Sequence, residues 1–262
     1  MIWGGPPPDD GVMNRFLAIS YGAFSYVLFL VVFVYAILFV GGIAVPHSVD
    51  DAVSASPLQA VAIDLALLTL FALQHSVMAR PAFKRWWTRY VPAAIERSTY
   101  VLLASLVLAL LLWQWRSITA VAWEVSSTPA RLVVWALFWL GWAIVLASTF
   151  MISHFALFGL KQVFAVWRGE PQPATGFRTT LFYRVVRHPL NLGFIVAFWA
   201  APTMTAGHLL FAAVTTGWIL LAMQLEERDL VAALGTRYVE YRRRVPMLIP
   251  TLRKRDTDMM VE

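Results

Sequence analysis

The segment Arg187-His188-Pro189-Leu190-Asn191-Leu192-Gly193 carries the clearest chemical content of this 262-residue sequence. Proline suits the first turn of a helix, where its missing N–H costs nothing, so a helix starts here. The free backbone N–H groups and the positive end of the helix dipole favour an anion. Arg187 adds a charge-assisted grip on a carboxylate or a hydroxyl-rich ligand. Basic residues also flank membrane spans, so Arg187 and His188 read equally as boundary markers. Further on, Glu226 and Glu227 end a long apolar stretch, where two adjacent carboxylates repel each other and oppose the helix dipole. Something cationic must meet them: Arg228 or Arg244, or a bound ammonium or sulfonium. A helix start with arginines on one side and carboxylates on the other suits a zwitterionic amino-acid cofactor.

Other chemistries lack their residues. The chain has no cysteine, which excludes disulfides, thiolate metal sites and a cysteine nucleophile. The five histidines, His47, His75, His154, His188 and His208, are dispersed, with no H-E-x-x-H pattern, so no metal is expected. There is no Walker loop and no G-x-G-x-x-G turn following a strand.

The elements that must position these residues are membrane helices. Hydrophobic residues make up 60% of the chain and charged ones only 14%, which excludes an ordinary water-soluble domain. The net charge of +6 then records basic loops beside anionic lipid rather than a nucleic-acid partner. About 20 apolar residues span the hydrocarbon core. Spans are predicted at Leu17–Val40, Leu58–Met78 with Asp64 inside it, Ser98–Trp115 and Leu132–Phe158. The uncharged run from His188 to Leu225 is too long for one pass. Pro202, Thr203, Thr205 and Gly207 break it into a short fifth helix, Pro189–Ala201, and a sixth, Gly207–Leu225. Six crossings put both ends on one side. With the ends inside, only Arg116 and Arg131 of the 21 Lys and Arg residues fall outside, so both termini are cytoplasmic by the positive-inside rule. Arg80 to Tyr90 mixes bases with aromatics, as an interfacial anchor does. Glu226 to Arg244 has helix-forming composition and stops at Val245-Pro246, so a polar helix can close over a site.

Taken together, Arg187-His188-Pro189, Gly193, Glu226-Glu227 and Gly235-x-x-Tyr238-x-x-Tyr241-x-x-x-Val245-Pro246 resemble the C-terminal signature of integral-membrane methyltransferases, a superfamily that includes isoprenylcysteine carboxyl methyltransferases and phospholipid methyltransferases. Phe158-Gly159-Leu160-Lys161-Gln162-Val163, Phe177-Arg178-Thr179, Pro202-Thr203-Met204-Thr205 and Gln224 to Leu230 look like the methanethiol S-methyltransferases, over most of the chain. Two positions after Pro189, where members often carry tyrosine, this chain has Asn191.

The resemblance implies an all-α, polytopic membrane protein of one domain, residues 1–262, with a cofactor-binding core at about 159–250 and a C-terminal helical lid. It implies S-adenosyl-L-methionine bound at the cytoplasmic face of a bacterial-type inner membrane, with a small thiol as acceptor. Carried over to this chain, His188, Pro189, Asn191 and Gly193 meet the adenosine or methionine portion, and Glu226 and Glu227 its ammonium or ribose hydroxyls. Tyr238, Tyr241 and Arg244 form the lid, with Arg187 and Arg178 nearby and Lys161 and Gln162 on a second loop of the same face. An alkyl thiol is mostly protonated near neutral pH, so a base would help. His154 is the first choice and His75 the second. His75 lies about three helical turns from Asp64, on the same face of its helix. Asp64, a costly intramembrane carboxylate and the third catalytic candidate, has either a catalytic or a structural role and lies too deep to touch the cofactor. Interhelical hydrogen bonding is an equal reading for both histidines. A prenylcysteine carboxylate or a lipid amine is the alternative acceptor. A transporter would place its polar residues at midplane rather than at one face.

Overall fold

The computed structural model describes residues 14–51, 56–172 and 181–250. It is an all-α bundle tied at one end by a small ribbon of two short strands. Helices α1 (Arg15–Gly41), α2 (Pro57–Ala79), α4 (Ala93–Gln114), α5 (Thr128–Ile152) and α9 (Ala206–Leu234) are long and apolar enough to cross a membrane. Shorter helices fill the connections: α3 (Pro81–Trp87), α6 (His154–Leu157), α7 (Leu160–Arg168), α8 (Pro189–Trp199) and α10 (Thr236–Arg244). Strand β1 (Val121–Glu124) follows α4, and β2 (Thr203–Thr205) precedes α9.

Local signals set the ends of these helices. Ser56 and Gln59 form a capping box on α2 behind Pro57 in its first turn. Ser127 caps α5 and Thr205 caps α9, each accepting a backbone N–H three residues on. Helix α9 stops at Gly235, whose φ of 59° favours a residue without Cβ, and α10 begins there.

Small residues and rings hold the bundle together, as expected where lipid removes the hydrophobic drive between helices. Helix α8 lies against α5 backbone to backbone: a Cβ on Gly193 would stand 2.7 Å from the Gly141 carbonyl oxygen. Gly22 of α1 gives the same close access to Val163 of α7. Phe33, Trp142, Phe194 and Phe198 interlock edge-on through the centre. The outward sides of the long helices present apolar groups, including Phe24, Leu132 and Trp113. Phe83, Trp86, Trp87 and Tyr90 form a ring cluster on and just beyond α3, within the segment read as an interfacial anchor.

Three boundaries differ from the sequence expectation in ways that matter. The crossing predicted as a helix over Pro189–Ala201 is helical for only 11 residues, about 16 Å. The extended chain from Ala200 to Thr205 completes it. Non-helical backbone at that depth needs partners, and it has them: Pro202 O accepts Val125 N, Ala201 O accepts the Trp123 indole, and Ala206 N donates to Ala120 O. The last span, predicted to end at Leu225, runs on to Leu234 without a break. The fourth span ends at Ile152, not Phe158, with Ser153 turning the chain into α6.

Candidate functional site

Length places the carboxylates. Glu226 lies 20 residues into α9, about 30 Å along the helix, so the pair sits one hydrocarbon thickness from the ribbon end. Being adjacent, the two side chains point about 100° apart. Glu227 turns inward and is buried, while Glu226 is half exposed on the wall of a cavity.

Glu227 is the hub. Its Oε1 takes a 2.6 Å bond from Arg187 Nε and lies 3.2 Å from His188 Nε2; its Oε2 is 3.3 Å from Arg242 Nε. Arg187 reaches on with NH1 to the carbonyls of Arg242 (3.0 Å) and Val245 (2.6 Å). The backbone N–H groups of Arg187 and His188 donate to Pro246 and Met247. The chain after α10 is therefore strapped to the start of α8, and the same guanidinium holds both the strap and the carboxylate. Arg187 and Glu227 are both more than nine-tenths buried. Breaking such a pair by removing one partner typically costs about 3–5 kcal/mol.

Beside this hub is a cavity of about 250 Å³. Its polar wall is Arg187, His188, Asn191 and Glu226; its apolar wall is Ile152, Leu190 and Leu230; Tyr183, Tyr238 and Tyr241 close it. The Tyr241 hydroxyl donates to Tyr183 O at 2.6 Å, pinning α10 to the 3-10 turn Leu181–Arg184. Burial, then the nearby Glu227, pushes the Tyr241 hydroxyl up to about 12 against the opposing pull of Arg187. Burial and the same carboxylates hold Tyr183 and Tyr238 well above the usual phenol value. All three remain neutral donors with ring faces that attract a cation.

Of the residues singled out in the sequence, Arg187, His188, Asn191, Glu226, Glu227, Tyr238 and Tyr241 come together here. Pro189 opens α8 beneath the cavity, and Gly193 serves the contact with α5 rather than the cavity wall. Lys161 and Gln162 lie on α7, which packs on α1 and α4; Gln162 Nε2 bonds Ala156 O. Arg244 is exposed at the end of α10, and Arg242 makes the contact with Glu227 instead. Arg178 lies outside the described residues.

The three catalytic candidates, His154, His75 and Asp64, lie apart from the cavity wall. His154 is buried with both ring nitrogens engaged, Nε2 with the Tyr26 hydroxyl and Nδ1 with Thr149 Oγ1, each at 2.8 Å. Its ring stacks on Phe150, and burial lowers its proton affinity, so it is neutral. His75 sits against the Tyr100 hydroxyl and stacks on Phe71. It is exposed, whereas Asp64 on the same helix is fully buried. Asp64 accepts the Arg116 backbone N–H at 2.9 Å near the ribbon end, the end opposite the cavity. The sequence reading missed Tyr183, Arg242, Ile152 and Leu230. Arg242 had a signal, since it neighbours Tyr241 in the lid; Tyr183 had none beyond its place shortly before Arg187.

Comparisons with known proteins identify the family. The NnrU protein family matches residues 65–238. Methanethiol S-methyltransferase of Mycobacterium tuberculosis is 63% identical over 238 residues, covering 91% of this chain and 98% of its own length. Methanethiol S-methyltransferase 2 of Bradyrhizobium diazoefficiens is 54% identical over 93% of this chain and 94% of its own. Nurim of Rattus norvegicus is 32% identical over 67% of this chain and 70% of its own. No solved structure is significantly similar. With a family match across the helices that build the cavity and relatives alike from end to end, the chain belongs to the NnrU protein family and, within it, to the methanethiol S-methyltransferases.

Proposed function

We propose that this protein transfers a methyl group from S-adenosylmethionine to methanethiol, forming dimethyl sulfide and S-adenosylhomocysteine. The observation that carries the reading is end-to-end similarity to proteins named methanethiol S-methyltransferase. The cavity's chemistry fits the donor. Glu226 offers a carboxylate to an ammonium or to ribose hydroxyls, Asn191 offers an amide, and three neutral tyrosine rings suit a sulfonium. When bound, S-adenosylmethionine supplies an electrophilic methyl on a cationic sulfur, which the acceptor sulfur displaces in line.

The chain's own residues supply alignment and dryness. Ile152, Leu190 and Leu230 give an apolar surface on which a one-carbon thiol can rest. Alignment of two reactants in one cavity can supply several kcal/mol of the barrier. Of the groups able to take the thiol proton, Glu226 and His188 line the cavity, whereas both nitrogens of His154 are occupied. His154 therefore acts through the α5–α6 corner that carries Ile152, and His75 and Asp64 brace helix contacts. Arg187 holds Glu227 and the strap, so it contributes to the cofactor site through the closed lid. At about 250 Å³ the cavity is smaller than typical cofactor pockets, and admission of the donor requires α10 to lift.

The basic residues gathered at the cavity end support a cytoplasmic site with both termini inside, in a bacterial-type inner membrane, with lipids and a small thiol as partners. The test is direct. Purified protein in detergent with S-adenosylmethionine and methanethiol should release dimethyl sulfide into the headspace. Parallel samples offering a prenylcysteine or phosphatidylethanolamine should stay unmethylated; methylation of either in place of methanethiol overturns the acceptor.

A further inference from the structure

A second cavity, larger than the one at the carboxylate site, lies at the ribbon end. It holds about 550 Å³ between α1 and α4, with walls of Val31, Val32, Ala109 and Leu112. Val31 and Trp113, on its lips, are 62% and 73% exposed, so the groove opens sideways toward lipid. Its rim is polar and mostly engaged. The Tyr35 hydroxyl donates to His47 O, and His47 Nε2 lies 3.1 Å from Trp115 O.

Arg116 is different. Its NH2 bonds Gln114 Oε1 at 3.1 Å, and its backbone N–H goes to Asp64. Among the described residues its guanidinium forms no ion pair, although Asp50, Asp51 and Asp64 all lie at this end. Those carboxylates face other donors: Asp50 meets Thr205 and His208, and Asp51 meets the Ser48 backbone. Arg116 and Arg131 are also the only Lys or Arg residues between Arg97 and Lys161, so a cation at this groove stands in a base-poor surface. An apolar, laterally open trough ending in a guanidinium that has no direct ion pair among the described residues, the buried Asp64 acting on it only at longer range, matches a lipid tail continuous with an anionic phosphodiester, since Arg binds phosphate through its planar fork.

We propose that the α1–α4 groove binds one anionic phospholipid, its acyl chain along Val31, Val32, Ala109 and Leu112 and its phosphate on Arg116. Trp113 then lies at headgroup depth, where indole is favoured. This reading is independent of the methyl-transfer reaction.

The test titrates the purified full-length protein, in detergent, with phosphatidylglycerol and with diacylglycerol of the same acyl chains, counting bound lipid by native mass spectrometry. Wild type should hold one phosphatidylglycerol per chain in preference to diacylglycerol. Arg116→Gln should weaken phosphatidylglycerol about fivefold, the effect of one cation at a lipid phosphate, and leave diacylglycerol unchanged. Ala109→Phe, which fills the trough, should lose both. Equal binding of the two lipids by wild type, or phosphatidylglycerol binding by Arg116→Gln at the wild-type level, overturns the proposal. Where Ala109→Phe fails to fold, Arg116→Gln decides alone.

Discussion

Helices α8 and α9 each have a histidine at or near their start, His188 capping α8 and His208 in the first turn of α9, at opposite ends of the bundle, and each histidine meets a carboxylate. His208 Nδ1 is 3.3 Å from Asp50 and its Nε2 lies 3.1 Å from Phe198 O; Thr205 gives Asp50 a further 2.6 Å bond. The cluster serves as a latch between the α1–α2 loop and the ribbon. His188 also meets a carboxylate, this one buried, but the hub there includes two arginines, a second glutamate and a cavity closed by a short helix. Residue type alone therefore does not separate latch from site. The difference lies in what remains available once internal bonds are made: nothing at His208, and the wall of Glu226, Asn191 and three tyrosines at His188.

Variants at the two ends should break or sharpen that contrast. Glu227→Gln releases Arg187 and Arg242 together, so S-adenosylmethionine affinity by calorimetry should fall roughly 100-fold or more, with a lower melting temperature because the strap is untied. Affinity at the wild-type level would show that the hub is a second latch. At the other end, Asp50→Asn should cost about 1–3 kcal/mol of stability and leave the turnover of the folded fraction within about twofold. A collapse of turnover in fully folded protein would join the two ends functionally.

Acidification acts at the α5–α6 corner. Burial lowers the folded-state affinity of His154 for a proton below the usual 6.5, so the unfolded chain binds more protons in that range. Stability is complete above 6.5 and is lost as pH falls below it; melting temperatures at pH 7.5 and 5.5 should diverge less in His154→Gln than in wild type. The smallest effects belong to the lid's basic run. Arg242→Gln should weaken cofactor binding a few-fold, since half-exposed ion pairs contribute about 1 kcal/mol or less. Arg244→Gln, exposed at the end of α10, should be indistinguishable from wild type in the same titration.

Much of this was legible in the sequence because membrane helices announce themselves. Starts at Arg15, Pro57 and Pro189 fell within two residues of the expected ones, since charge and proline mark them sharply. The end of α9 was misplaced because Glu226 and Glu227 read as a boundary, whereas ion pairs with Arg187, His188 and Arg242 let the helix carry them onward. The carboxylates, the α8 start and the lid tyrosines were recognisable because each opposes a local rule or follows a motif. Gly193 was read as a ligand contact because sequence does not show which neighbour demands a missing Cβ; the demand comes from Gly141. Asp64 and His75 were paired by helical spacing, yet their partners lie at different depths, Arg116 just beyond the end of α4 for one and Tyr100 in its first half for the other. Contacts between distant segments, such as Tyr183 with Tyr241, leave no trace in either segment alone.

The contact between Gly141 and Gly193 has a mechanical consequence. With two backbones already touching, α8 has no slack in which to retreat from α5, so the jaw carrying His188 and Asn191 is fixed to the bundle. The opposing jaw hangs on Gly235, at the junction of α9 and α10, and on a handful of polar bonds. In the proposed reaction, admission and release therefore fall to α10, and the strength of the strap sets how long a spent molecule stays inside.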